Sequence, residues 1–178
     1  MGEEVTRIMI GVNESSLKGY PNPSISSKGA FEWTINKIVR NNVSAFNLLF
    51  LHVHVPDQNG YENMDSIYAS NEDFKNMKQK EMVRRNHLLE YFVNRCNEIG
   101  VPCAAWIKEG DPKEVILNEV KRIRPDLLVV GSRGLGPFKV SARVLVGTVS
   151  EFCWKHAECP VMTIKRNADE TPRDPVDD

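Results

Sequence analysis

Five short apolar runs constrain the fold of this chain more than any other feature of its sequence. They are rich in valine, isoleucine, leucine and phenylalanine, and mostly continue across adjacent positions instead of alternating with polar residues. The runs occupy residues 5–12, 47–55, 101–110, 126–130 and 160–166. Continuous apolar strands are typical of parallel sheets that are covered on both faces. Because connections between parallel strands are right-handed, the sequence predicts an α/β fold with a doubly wound, five-stranded, mostly parallel sheet and helices on both faces.

Helical patterns fill the intervals between these runs. The first helix is predicted to begin near Ser26 or Ser27, either of which can cap it. The second ends at Gly100, and the third begins with Pro112, a residue suited to the first turn of a helix. Four helices are therefore predicted, over residues 26–39 and 72–99, from residue 111 onward, and over about residues 148–157.

Length and charge exclude several classes of protein. A chain of 178 residues is long enough for one well-buried core and too short for two. Its formal net charge of −1 argues against a nucleic-acid or membrane-binding surface, and no apolar run approaches the roughly 20 residues that span a bilayer. The four cysteines lack the spacing of a disulfide scaffold, which favours a reduced, cytoplasmic setting. We expect one domain over residues 1–166 and a disordered acidic tail over residues 167–178.

A glycine-rich segment connects the fourth apolar run to the fourth helix. Its glycines include Gly131, Gly134 and Gly147, and they match neither a GxGxxG fingerprint nor a Walker A loop. Glycine lets backbone N–H groups approach a phosphate without an intervening Cβ, and a helix N-terminus adds unpaired donors. The segment is therefore either an anion-binding loop or a connection whose glycines serve turn geometry alone. In the first case, hydroxyl donors and positive charge come from Ser132, Arg133, Thr148 and Ser150.

Six stretches, taken in order, resemble the universal stress protein A-like family, especially its plant-type single-domain members. They are IMIGVN at 8–13, LLFLHV at 48–53, GDPKEVI at 110–116, RPDLLVVGSRGLG at 124–136, VGTVSEFC at 146–153 and ECPVMTIKR at 158–166. The resemblance implies a strand order of 3-2-1-4-5 and a homodimer formed through the last strands of two subunits. It also implies a stress-response protein that binds AMP or ATP, with Mg²⁺ left open as an accompanying ion.

The same resemblance assigns the nucleotide site. The phosphate-binding pattern of the family, Gly-x2-Gly-x9-Gly-[Ser/Thr], corresponds to Gly131, Gly134, Gly147 and Thr148, with Ser132, Arg133, Val149 and Ser150 nearby. Val12 and Asn13 would line the nucleoside pocket, and the backbone of Val53 would meet the adenine edge.

Two departures from the family pattern bear on this assignment. Twelve residues separate Gly134 from Gly147, three more than the pattern has, so the phosphate end must be reshaped. The first strand ends in Asn13, where many nucleotide-binding members have aspartate. An asparagine can accept a hydrogen bond from a ribose hydroxyl through its amide oxygen, but it carries no charge.

Three classes of function remain open on this basis. The first is a homodimeric binding module for adenine nucleotide, and the second is a structural or chaperone-like interaction protein whose phosphate loop is disrupted. The third is an enzyme with at most slow ATP hydrolysis, because no triad elbow and no paired acids accompany the glycines. Two metal-site patterns, His52-x-His54 and Cys153-x2-His156-x2-Cys159, have simpler structural explanations, and no carboxylate near His52 in sequence completes a ligand set.

Overall fold

The computed structural model describes residues 2, 4–56, 71–132 and 149–165, and it builds them into a single five-stranded sheet with helices on both sides. The strands are β1 (Thr6–Val12), β2 (Phe46–His54), β3 (Cys103–Glu109), β4 (Leu127–Ser132) and β5 (Val161–Lys165). The helices are α1 (Ile25–Trp33), α2 (Asn71–Ile99), α3 (Pro112–Ile123) and α4 (Val149–His156). A π-helical segment, Thr34–Val39, continues α1, and a 3₁₀ turn, Val43–Ala45, precedes β2.

The sheet has the order β3-β2-β1-β4-β5, and every pair of neighbouring strands is parallel. Fold class and strand order are thus confirmed. β1 is central, with Ile8 opposite Leu48 of β2 on one side and Leu127 of β4 on the other. The chain winds outward from β1 in both directions, so the direction of winding reverses between β1 and β4. Ligands of open α/β sheets bind at this reversal, beyond the carboxyl ends of the strands.

Two hydrophobic cores cover the two faces of the sheet. Alternate residues of each strand point to opposite faces, so Ile8 and Ile10 of β1 belong to one core and Met9 to the other. The first core holds the aromatic residues Phe31, Phe50 and Phe92 from α1, β2 and α2, with ring centroids 5.2–5.7 Å apart. The second core lies under α3 and α4. β1, β2 and β4 each contribute buried residues to both cores, so the strand ends that form the site rest on packed layers on both faces.

The first helix begins earlier than the sequence analysis predicts. Ser24, rather than Ser26 or Ser27, is its N-cap: the backbone of Ser24 is extended, and its hydroxyl accepts a hydrogen bond from the N–H of Ser27 at 3.0 Å. Ser26 and Ser27 lie inside the first turn and are buried. Their burial against the sheet, which a sequence pattern does not show, moves the helix start by two to three residues.

Other helix ends agree with the sequence. Asp111 caps α3 by accepting from the N–H groups of Lys113 and Glu114, and Pro112 occupies the first turn. Gly100 ends α2 with a positive φ of 87°, a conformation that glycine adopts without strain. None of the described helices combines the length and the apolar character needed to cross a bilayer. The predicted tail, 167–178, lies outside the described residues.

Candidate functional site

A cavity of about 180 Å³ lies beyond the carboxyl ends of β1, β2 and β4, beside the reversal of winding. Six residues assigned to the site from the sequence line it together: Val12, Asn13, Val53, Gly131, Val149 and Ser150. Further lining residues were not predicted: Gly11, Ser26, Ser27, Leu51, Pro112, Ile116 and Val130. Their positions in the sequence could have predicted them, because strand ends and the first turns of helices meet at this edge of a parallel sheet.

One end of the cavity is apolar. Leu51 and Val53 on β2 and Ile116 on α3 form this end, and they continue into the second core beneath it. A flat aromatic base fits such a surface, and the exposed peptide groups at a strand end supply the polar contacts that orient it. Val53 lies at this end of the cavity, and its assignment to the adenine remains a prediction.

Asn13 lines the cavity directly after the end of β1. Its amide oxygen accepts hydrogen bonds from the hydroxyls of Ser24 at 2.7 Å and Ser27 at 2.8 Å. Its backbone N–H donates to the Ser27 hydroxyl at 2.9 Å, and its carbonyl accepts from the N–H of Ser24, also at 2.9 Å. Asn13 thus ties the end of the central strand to the start of α1.

Gly131 is enclosed by the backbone of α1. A Cβ at this position would lie 2.6 Å from the carbonyl oxygen of Ser26, closer than any real side chain allows. Close packing of a helix start on a strand end therefore accounts for this glycine, independently of any ligand. This packing is neither of the two explanations left open for the glycines, an anion-binding loop or turn geometry alone.

Three helices begin at the cavity, and they differ in how their first N–H groups are used. α3 is capped by the Asp111 carboxylate, and Pro112 has no N–H to offer. The N–H of Ser27 in α1 is paired with the Ser24 hydroxyl. α4 begins at the cavity with Val149 and Ser150. Asp111 would repel an anion at α3, whereas the acid in the first turn of α4, Glu151, is paired with Lys155 at 2.8 Å. The start of α4 is therefore the better place for a phosphate.

Four other assigned residues, Arg133, Gly134, Gly147 and Thr148, lie outside the described residues. Ser132 ends β4 next to Gly131 and does not line the cavity. The described lining residues carry no formal charge, so any ionic contact to a phosphate would come from elsewhere. The described residues that line a larger concavity, within 76–84, all belong to one exposed stretch of α2.

A polar cluster that was not predicted lies behind the site, on the other face of β2. His52 and His54 project from one face, as the sequence predicts, but His52 is completely buried. Its Nδ1–H donates to the carbonyl of Val12 at 2.9 Å, and its Nε2 accepts from the hydroxyl of Tyr20 at 2.5 Å. Burial lowers the pKa of His52 and raises the pKa of Tyr20, so both are neutral near pH 7.

The two metal-site patterns can be judged from the surroundings of His52 and Cys153. Glu14, which is distant from His52 in sequence, places its Oε2 3.8 Å from the Nε2 of His52. Within the described residues, no group of three histidine, cysteine or acidic side chains is arranged to hold a metal ion. Cys153 is buried in the second core, and burial raises the pKa of its thiol to about 11, as for a core residue.

Comparison with known proteins identifies the wider group. The family model described as the universal stress protein family matches residues 6–165. A curated relative from Arabidopsis thaliana, a universal stress protein A-like protein, is 66% identical over 178 residues and is aligned over 100% of both chains.

Solved structures agree with the fold. A universal stress protein family protein from Arabidopsis thaliana, with AMP bound, is 62% identical and has a TM-score of 0.74, covering 97% of this chain and 99% of that one. A universal stress protein from Lactobacillus plantarum shares 21% identity and has a TM-score of 0.58, covering 92% and 99%. At that identity the bacterial protein supports the fold alone.

Proposed function

This chain belongs to the universal stress protein family, and from that premise we propose that it is a binding module for adenine nucleotide, AMP or ATP. The nucleotide occupies the cavity at the carboxyl ends of β1, β2 and β4. In this proposal the protein acts in the cytoplasm as a homodimer and couples nucleotide binding to the stress response. Mg²⁺ accompanies the nucleotide only if its phosphates bring it, because the described lining residues include no carboxylate.

One observation carries the proposal: three strand ends and the start of α4 line one cavity in the order that a nucleotide requires. The apolar end near Val53 fits the base, and the start of α4 fits the phosphate. β1 lies between β2 and β4 in the sheet, so Asn13 stands where the ribose would lie. The AMP bound to the Arabidopsis protein, which is 62% identical, supports the same ligand here.

Binding, rather than catalysis, is the function that these residues support. Hydrolysis of ATP needs a group that orients water and a site for the metal that neutralises the phosphates. The cavity walls described here are apolar or carry hydroxyl and amide groups. Such walls retain a nucleotide without activating water.

The test is a thermal-unfolding series with AMP, ADP and ATP. A ligand that binds the folded state alone stabilises it by about 2.7 kcal/mol at a hundredfold excess over its Kd. We expect a rise in Tm with at least one nucleotide, and we expect Val53→Phe, which fills the apolar end, to abolish it. Val55→Phe adds the same bulk at an exposed position beyond β2 and should keep the rise. No shift with any of the three at millimolar concentration would overturn the proposal.

A second candidate follows from the longer glycine segment. If the three additional residues between Gly134 and Gly147 prevent phosphate binding, the protein is a non-nucleotide structural or chaperone-like interaction partner. Deleting three residues within 140–143 then creates a nucleotide-dependent Tm rise that the parent lacks. A parent that already shows the rise excludes this candidate.

A further inference from the structure

The side chain of Asn13 has a defined orientation that bears on which nucleotides the cavity accepts. Its surroundings contain two serine hydroxyls, one from the N-cap of α1 and one from its first turn, with their oxygens 2.9 Å apart. Each hydroxyl oxygen already accepts a backbone N–H: Ser27 from Asn13 at 2.9 Å, and Ser24 from Ser27 at 3.0 Å. Each therefore has one proton to donate and one lone pair left.

A hydrogen-bond inventory decides which end of the Asn13 amide faces these hydroxyls. With the amide oxygen toward them, both serine protons have an acceptor, at 2.7 and 2.8 Å, and every group is satisfied. With the amide NH₂ toward them, one amide proton would go to Ser24 and the Ser24 proton to Ser27, at 2.9 Å. The Ser27 proton would then be left with only the Asn13 carbonyl, at 3.4 Å. The first arrangement is therefore the stable one, because unpaired polar groups near the protein interior cost free energy.

The other end of the amide is consequently the one that Asn13 presents to a ligand. Both lone pairs of its oxygen are engaged by the serines, so the group left for the cavity is the NH₂ donor. Building on the function proposed above, in which the ribose lies over β1, we propose that Asn13 selects nucleotides as a donor to a ribose oxygen. The cavity then requires an oxygen at that position but no hydroxyl proton.

This assignment predicts a particular ligand class. Adenine nucleotides whose ribose 2′ or 3′ oxygen is alkylated or esterified keep an acceptor oxygen and lose only the proton. Asn13 binds them as it binds AMP. An aspartate at the same position would keep the two serine contacts through one oxygen and offer a second, charged oxygen to the ribose. A carboxylate oxygen accepts a hydroxyl proton and repels an oxygen that has none.

The experiment measures dissociation constants for AMP, 2′-O-methyl-AMP and 3′-O-methyl-AMP by isothermal titration calorimetry. For each O-methyl nucleotide, the ratio of its Kd to that of AMP is compared between the wild type and Asn13→Asp. The bulk of the methyl group cancels in this comparison, because asparagine and aspartate have the same shape. We expect the ratio for at least one O-methyl nucleotide to rise about tenfold in Asn13→Asp, as expected for loss of a hydrogen bond to a charged group.

Controls separate this effect from a general change in charge. Asn22→Asp adds the same charge in the exposed loop before α1 and should leave both ratios unchanged. Asn13→Ala removes the donor and should weaken all three nucleotides by a similar factor. If Asn13→Asp alters neither ratio by threefold, the donor assignment is wrong while nucleotide binding stands. If the wild type binds none of the three, the proposed function itself fails.

Discussion

Of the described glycines, Gly131 has the least room for a side chain, and it shows how one residue serves the architecture of the cavity. The start of α1 rests on it, with the Ser26 carbonyl where a Cβ would be. The same contact brings Ser26 and Ser27 to the cavity wall.

Gly131→Ala should therefore destabilise the protein by about 1–3 kcal/mol, the usual cost of forcing an atom into packed surroundings. Urea unfolding monitored by circular dichroism measures the change. Gly11→Ala is the matched control: its Cβ would meet Val130 at an ordinary 3.6 Å, so it should change stability far less. Equal effects of the two substitutions would contradict the packing explanation.

His52 links stability to pH. Burial lowers the pKa of His52, with Arg85 lowering it further and Glu14 opposing the shift. Burial and Arg85 also lower the pKa of His54, against the opposing effect of Glu109, Glu14 and Glu81. The folded state therefore binds protons less readily than the unfolded chain, in which histidine has a pKa near 6.5. The stabilisation from neutral His52 is complete above about pH 6.5 and is lost as the pH falls toward the folded pKa.

His52→Gln should accordingly cost about 1–3 kcal/mol at pH 7.5, because the Val12 carbonyl and Tyr20 hydroxyl lose their partner. Its stability should then fall less than that of the wild type between pH 7.5 and pH 5.5, measured by urea unfolding. His87→Gln, at an exposed site on α2, should retain the wild-type decline. A variant as pH-sensitive as the wild type would show that His52 is not the group responsible.

At the scale of helices and strands, the sequence predicts the elements well where local chemistry decides them. Apolar runs locate all five strands, and Asp111-Pro112 and Gly100 mark helix ends because caps are local. The start of α1 was wrong by a few residues, because burial against Gly131 is a long-range contact. The Tyr20–His52 bond joins residues 32 positions apart, and no spacing rule anticipates it.

The residues of the candidate site likewise divide into those that the sequence predicts and those that depend on long-range packing. Val12, Asn13 and Val53 could be assigned because strand ends in a parallel sheet meet at one edge. The contribution of Pro112 and Ile116 to the cavity could not be predicted, because it depends on how α3 crosses the sheet. The role of the Asn13 amide depends on two serines 11 and 14 residues away, which no motif encodes.

For the molecule as a whole, β5 is an edge strand of the sheet that the described residues form, and this edge supports the homodimer proposed above. The N–H of Leu128 donates to the carbonyl of Pro160 at 2.9 Å. Peptide groups alternate in direction along a strand, so those of Thr163 face away from β4. Beside this edge, α4 exposes 68% of Trp154, an apolar surface that favours a partner.

Thr163→Pro tests the dimer. Proline removes an outward N–H while leaving the hydrogen bonds to β4 in place, so the monomer should fold and the edge should no longer pair. Size-exclusion chromatography with light scattering should show a dimer for the wild type and a monomer for the variant. Thr163→Val, which keeps the N–H, should remain dimeric, and a monomeric wild type would refute the prediction.

The double-sided pairing of β1 determines which part of the cavity can adapt. From Ile8 to Gly11 the strand is bonded to neighbours on both sides, so its end moves only if the whole sheet does. A ligand at the carboxyl end of β1 therefore meets a floor that does not yield, and any adjustment to its size has to come from the other walls of the cavity.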